Sequence, residues 1–122
     1  MTVKSYQELI VWQKAMNLVE SIYQISGRFP KDEIYGLTSQ LRRAVISVPS
    51  NIAEGQGRNS TKEFLHHLSI AYGSFMETET QLQISGRLGY LQDAETTRLL
   101  EQTAEVARLI NGLSRALLNK QP

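Results

Sequence analysis

Apolar residues recur at steps of three and four along almost the whole chain, and that period constrains the fold more than any other feature. Leu9, Trp12, Met16, Val19 and Tyr23 form one such stripe, and Ala15, Leu18, Ile22 and Ile25 run beside it. Ser5 and Glu8 have the spacing of a capping box, so the first helix is predicted to begin at Ser5. Gly27, just before Phe29 and Pro30, ends it. Two adjacent stripes make an apolar face wider than one partner helix requires. The helix either sits deep in a bundle or offers its extra face to another subunit.

A second helix is predicted from near Lys31, behind Pro30, with Asp32 and Glu33 at the positive end of its dipole. Ile34, Leu37, Leu41, Val45, Val48 and Ile52 mark its inner side. Pro49 removes a backbone hydrogen bond and crowds the preceding turn, which predicts a kink. A break with Ser47 capping a new helix is the alternative. The unbroken apolar spacing favours one kinked helix, with Gly55 and Gly57 leading to an exit at Arg58 and Asn59.

Ser60 and Glu63 form a second capping box, opening a third helix with Leu65, Leu68, Tyr72, Phe75 and Leu82 as its seam and Gly89 as its stop. The fourth is predicted from Asp93 as N-cap to about Leu118, with Leu100, Ala104, Ala107, Ile110, Leu113 and Leu117 inside. Four helices joined by short loops predict one all-α domain over residues 1–122, an antiparallel up-down-up-down four-helix bundle with a kinked second helix. No strand alternation, linker or repeat competes with it.

Composition then narrows the function. Without a cysteine, disulfides, thiolate zinc sites and cysteine nucleophiles are excluded, and a reducing cytoplasm is the expected location. No apolar run approaches the ~20 residues that cross a bilayer, and the opening residues are too polar for a signal peptide. The net charge of +1 is unevenly placed. Arg28 to Lys62 carries a balance of +3, and Arg108, Arg115 and Lys120 stand in a C-terminal stretch without acids. The pattern permits a basic face and an acidic face.

Catalytic and metal chemistry lack their parts. His66 and His67 are adjacent and point about 100° apart on a helix, so they cannot share a metal as an i,i+4 pair does. Glu63 and His67 have that spacing but supply two ligands, too few for a site. Di-iron bundles need two Glu-x-x-His motifs, whereas Glu63-Phe64-Leu65-His66 stands alone. No nucleophile elbow and no phosphate-binding loop is present. No metal and no cofactor is expected. Glu79 is the odd carboxylate: the seam Leu65, Leu68, Tyr72, Phe75 continues onto it, which predicts a core position paired with Arg42, Arg43 or Arg58.

The stretch from Ser47 to Arg58 is the least generic. Ser50, Asn51 and two glycines are poor helix formers, while Glu54 and Arg58 are spaced for a helical ion pair. Gly55 and Gly57 fit a helix end that another backbone approaches closely.

Four stretches together resemble a known family: Leu9-x-Val11-Trp12-Gln13-Lys14-Ala15; Phe29-Pro30-x-x-Glu33-x-Tyr35-Gly36-Leu37-Thr38-x-Gln40-Leu41-Arg42-Arg43-Ala44; Ser47-Val48-Pro49-Ser50-Asn51-Ile52-Ala53-Glu54-Gly55; and Phe64-Leu65-x-x-Leu68-x-Ile70-Ala71-x-Gly73-Ser74-x-x-Glu77. They look like the four-helix-bundle proteins encoded in 23S rRNA intervening sequences, a family that includes the accessory variability determinant of diversity-generating retroelements. The resemblance implies a homopentamer and, for the retroelement members, a basic surface that engages nucleic acid and a reverse transcriptase. A chain of net charge +1 looks closer to the intervening-sequence branch.

The resulting expectation is a non-enzymatic homopentameric accessory protein that meets RNA or a nucleic-acid-processing protein through Arg42, Arg43, Arg58 and Lys62. Pro49, Ser50, Asn51, Glu54 and Gly55 are expected to serve structure or an interface. The alternative is an oligomeric scaffold or protein-interaction module without nucleic-acid contact. In that case Arg58 is neutralised by Glu54, and Arg42 or Arg43 by Glu79.

Overall fold

The structure is a computed structural model that describes residues 5–120. Among these the chain forms four α-helices and two short 3₁₀ turns: α1 is Ile10–Ser26, α2 Leu37–Gln56, α3 Thr61–Arg87 and α4 Asp93–Asn119. Each helix packs against its two neighbours around a closed ring, α1 on α2, α2 on α3, α3 on α4, and α4 back on α1. The registers run in opposite directions: Arg42 meets Ser26 and Tyr23, and Arg28 reaches Glu95 while Lys14 reaches Glu105. The fold is an all-α four-helix bundle.

Helix starts differ from expectation where a loop contact outweighs a local cap. Ser5 does not begin α1. Its hydroxyl accepts from the Gln7 N–H at 3.2 Å and caps a 3₁₀ turn over Tyr6–Glu8. Leu9 is then extended (φ −75°, ψ 126°), and α1 starts after it. The bend sets the Tyr6 ring edge-on to Trp12, with centroids 5.2 Å apart. Lys31 likewise opens only a 3₁₀ turn, Lys31–Glu33, and Ile34 is exposed rather than part of the core. Glu33 turns back so that its carboxylate accepts from the Leu37 N–H at 3.2 Å, and α2 begins there. A Cβ at Gly36 would lie 2.9 Å from Glu33 Oε1, so a larger residue there displaces the carboxylate from its bond to the Leu37 N–H.

α2 then runs unbroken through Pro49, which excludes a break with Ser47 as a new cap. α3 starts as expected, with Ser60 Oγ accepting from the Glu63 N–H at 3.0 Å. Gly89, at φ 80°, supplies the left-handed turn beyond its end. α4 is capped one residue earlier than expected: Asp93 is its first helical residue, and Glu95 Oε1 accepts from the Gln92 N–H at 3.1 Å.

The core decides between the two stripes of α1. Ala15, Leu18 and Ile22 are fully buried, whereas Met16 and Tyr23 are more than a third exposed. α3 is rotated relative to the expected seam. Leu68, Ala71, Phe75, Thr78 and Leu82 face inward, while Tyr72 is exposed and Leu65 half-buried. Glu79 therefore leaves the core. Thr78 takes the buried position beside it and satisfies its hydroxyl on the Ser74 carbonyl at 2.8 Å, so no buried carboxylate needs a counter-charge. In α4 the buried set is Leu99, Thr103, Val106, Ala107 and Ile110, with Leu100 and Ala104 half-buried.

Candidate interaction surfaces

The face of α1 that the core leaves over is roofed on one side by α2. Tyr6, Trp12, Met16 and Val19 line a groove of about 320 Å³ with Ile46, Pro49, Ser50 and Ala53. Its lining is mostly apolar, and Ile46 at 39% exposure and Met16 at 36% lie open to solvent. Pro49 is buried in its floor and Ser50 exposed at its edge. Exposed apolar surface of this kind is a candidate interaction site.

The opposite side of α2 is polar and bonded to α3. Asn51 donates its amide to the Ser47 carbonyl at 2.9 Å, which leaves Oδ1 facing His67 Nδ1 at 3.0 Å. That arrangement requires His67 to carry a proton on Nδ1. His67 Nε2 stands 3.9 Å from Glu54, and Glu54 accepts from Arg58 at 2.7 Å. Arg58, with His67 second, holds the Glu54 carboxyl below the usual glutamate range. One turn on, Ser74 Oγ bonds Ser47 Oγ at 2.8 Å. Gly55 lies directly against α3. A Cβ there falls 2.8 Å from His67 Cβ and 2.9 Å from the Phe64 ring. Asn51, Glu54 and Gly55 thus knit α2 to α3, and Pro49 and Ser50 face the groove behind.

The four basic candidates do not form one patch. Arg42 is an internal strut: Nε donates to Ser26 Oγ at 2.8 Å, a second nitrogen to the Tyr23 carbonyl at 3.2 Å, and the guanidinium lies 4.3 Å from the Tyr23 ring centroid. Arg58 is paired with Glu54. Arg43 is exposed along a second groove between α2 and α3, with Gln40, Ser47, Ser74, Glu77 and Gln81. Lys62 is exposed in the first turn of α3. The chain reversals put Arg58 and Lys62 at the same end of the bundle as Arg115, near the end of α4, and Lys120 at its C-cap.

The other end is latched. Tyr90, between α3 and α4, donates its hydroxyl to Glu33 Oε2 at 2.8 Å and packs its ring 5.5 Å from that of Phe29. These bonds, Tyr90 first and the Leu37 N–H second, pull the Glu33 carboxyl below its ordinary value and push the Tyr90 phenol up. Nothing in the local sequence signals the contact, since 57 positions separate the partners.

Among the described residues no group of three or more metal-ligating side chains converges, and no helix is long and apolar enough to cross a membrane. The family model for the 23S rRNA-intervening sequence protein matches residues 7–112. The chain belongs to that family. Its fold is similar to that of a protein of unknown function from the S23 ribosomal protein family of Bacteroides thetaiotaomicron, with a TM-score of 0.80, 21% identity, and 86% of this chain and 98% of that one covered. No curated protein matches the sequence. For this intervening-sequence protein the stretches that carried the resemblance now have physical roles. The Phe29–Leu37 run builds the latch, and Ser47–Gly55 builds both the groove floor and the α2–α3 bonds.

Proposed function

We propose that this intervening-sequence protein is a non-enzymatic accessory protein that acts as a homo-oligomer, five copies by family resemblance, and presents basic residues to RNA or a nucleoprotein. The apolar groove between α1 and α2 carries the reading, because the exposed Met16 and Ile46 beside a half-buried Trp12 have no use in an isolated bundle. Copies meeting there repeat Lys62, Arg115 and Lys120, which lie at one end of the bundle, so a chain of net charge +1 gathers several sets of these cations in one assembly. Phosphate contacts of this type give affinity that falls steeply as salt rises.

The experiment is anisotropy of a fluorescent structured RNA and a single-stranded DNA across a salt series, alongside the solution mass of the free protein. Micromolar or tighter binding at low salt, with a steep negative salt slope, supports the reading. A monomer that binds neither nucleic acid ends it. An oligomer that binds neither favours a scaffold without nucleic-acid contact, a reading supported by the bonds of Arg42 to Ser26 and of Arg58 to Glu54 within the chain.

A further inference from the structure

The groove between α2 and α3 combines small residues with long polar ones. Ala44, Ser47 and Ser74 are its least exposed members, and the two serine hydroxyls bond each other at 2.8 Å. Gln40 and Arg43 stand on the α2 side and Glu77 and Gln81 on the α3 side, around a volume of about 360 Å³. None of these four side chains makes a hydrogen bond or ion pair among the described residues. Elsewhere polar groups that meet between helices are spent on each other, as in Lys14–Glu105, Arg42–Ser26 and Asn51–His67. Arg43 and Glu77 line one groove with opposite charges and stay unpaired. Gln81 is strained in a different way, because its Oε1 is sealed in the wall without a partner, and buried acceptors are met in the great majority of cases. Past Gln40, Glu77 and Gln81 the groove continues into a second hollow of about 370 Å³. There Met76 and Ile84, each about two-fifths exposed, supply apolar surface.

We infer that the α2–α3 groove binds a free α-amino acid with an apolar side chain. Arg43 takes the carboxylate and Glu77 the ammonium, and the side chain lies on Met76 and Ile84. Charge selects this class. The groove brings one cation and one anion, so a bare phosphate meets Glu77 and a metal ion meets Arg43, whereas a zwitterion satisfies both. Hydrogen bonds between ionised partners are roughly twice as strong as neutral ones, and a guanidinium fits a carboxylate in two-pronged fashion. Size agrees, since each hollow falls at the small end of the roughly 300–1,000 Å³ range of ligand pockets. The adjoining apolar hollow gives the ligand a third point of contact and favours leucine, methionine or phenylalanine over glycine. Gln81 follows the ligand: drawn outward to it, the amide exchanges an unmet position for a bond. Gln40 to Ser47 belong to the half of α2 away from Lys62, Arg115 and Lys120, so the ligand is held apart from the nucleic-acid contact proposed above.

The test is calorimetric titration of the full chain with L-leucine, L-methionine and L-phenylalanine. Isoamylamine, which is leucine without its carboxylate, isocaproate, which lacks the amine, and glycine, which lacks the side chain, serve as comparisons. The expected result is saturable binding of at least one of the three amino acids, one per chain, with every comparison compound weaker by about tenfold or more, the loss of one charge-assisted hydrogen bond. Arg43→Gln and Glu77→Gln change exposed side chains that bond to nothing in the bundle, and circular dichroism verifies that both variants fold. Arg43→Gln is expected to weaken the amino acid about tenfold and leave isoamylamine unchanged; Glu77→Gln does the same and leaves isocaproate unchanged. No saturable binding by any of the three amino acids overturns the inference. So does an affinity that neither variant alters, or isoamylamine or isocaproate binding as tightly as leucine.

Discussion

At the residue scale, small side chains and paired carboxylates set the tolerances of this bundle. Gly55 is the tightest point. Any Cβ meets His67 Cβ and the Phe64 ring below 3.0 Å, and neither is the loose end of a flexible chain. Gly55→Ala is expected to destabilise the fold by about 1–3 kcal/mol despite alanine's better helix propensity, seen as a lower midpoint in urea. Gly73→Ala, free of internal neighbours, is expected to raise the midpoint instead. Acid sensitivity follows from three glutamates. Glu33 is held below its ordinary value of 4.5 by Tyr90 and then Leu37, Glu54 by Arg58 and then His67, and Glu95 by the Gln92 N–H and then Arg28. Groups with depressed folded values contribute stability that is fully present above the unfolded value and is lost as pH falls through the folded one. The denaturation midpoint is therefore expected to hold from neutral pH down to about 5 and to drop below 4.5. Glu33→Gln should flatten that drop; an unchanged acid profile would show that the latch carries no linkage.

At the scale of elements, end signals and tertiary contacts share the work unequally. α3 is bounded by its own sequence, Ser60 at the start and the left-handed Gly89 after the end. Ser60→Ala is expected to cost about 1 kcal/mol, measured by thermal or urea denaturation. α2 is different, because its start waits for Glu33 to fold back over Gly36 and for Tyr90 to hold it there. Tyr90→Phe keeps the ring against Phe29 and removes only the hydroxyl bond, so its effect isolates the latch from its packing. Pro49 lies within a continuous helix and beneath the groove. Pro49→Ala is expected to leave the bundle folded while changing the oligomer's mass, since the residue shapes a surface other than the core. An identical mass in light scattering would remove Pro49 from the interface.

On the scale of the whole molecule, the surface is more informative than the interior. The core is ordinary: aliphatic residues, Phe75, and buried threonines and serines that bond back to their own helices. The unusual surface is the apolar groove between α1 and α2, with Trp12, Met16 and Ile46 along it. If copies associate through that groove, binding stabilises the folded state by mass action. The melting temperature is then expected to rise with protein concentration, and in Ile46→Glu it should not.

By themselves the residues determined the class of fold, the number of helices, most of their ends and the special character of Ser47–Gly55. They do so because a 3.6-residue period, a capping serine and a glycine stop are local facts about a helix. The tertiary structure decided which way each helix faces. α1 carries two apolar stripes and can bury only one, and the choice of Ala15, Leu18 and Ile22 depends on what α2 and α4 offer. The same rotation moved Glu79 out of the core, put Thr78 in, and turned Trp12 and Met16 into a surface. Arg42 became a strut and Arg58 half of an ion pair for a similar reason. A charge in sequence has a sign but no neighbours, and the neighbours that spend it are brought together only by the packing of helices.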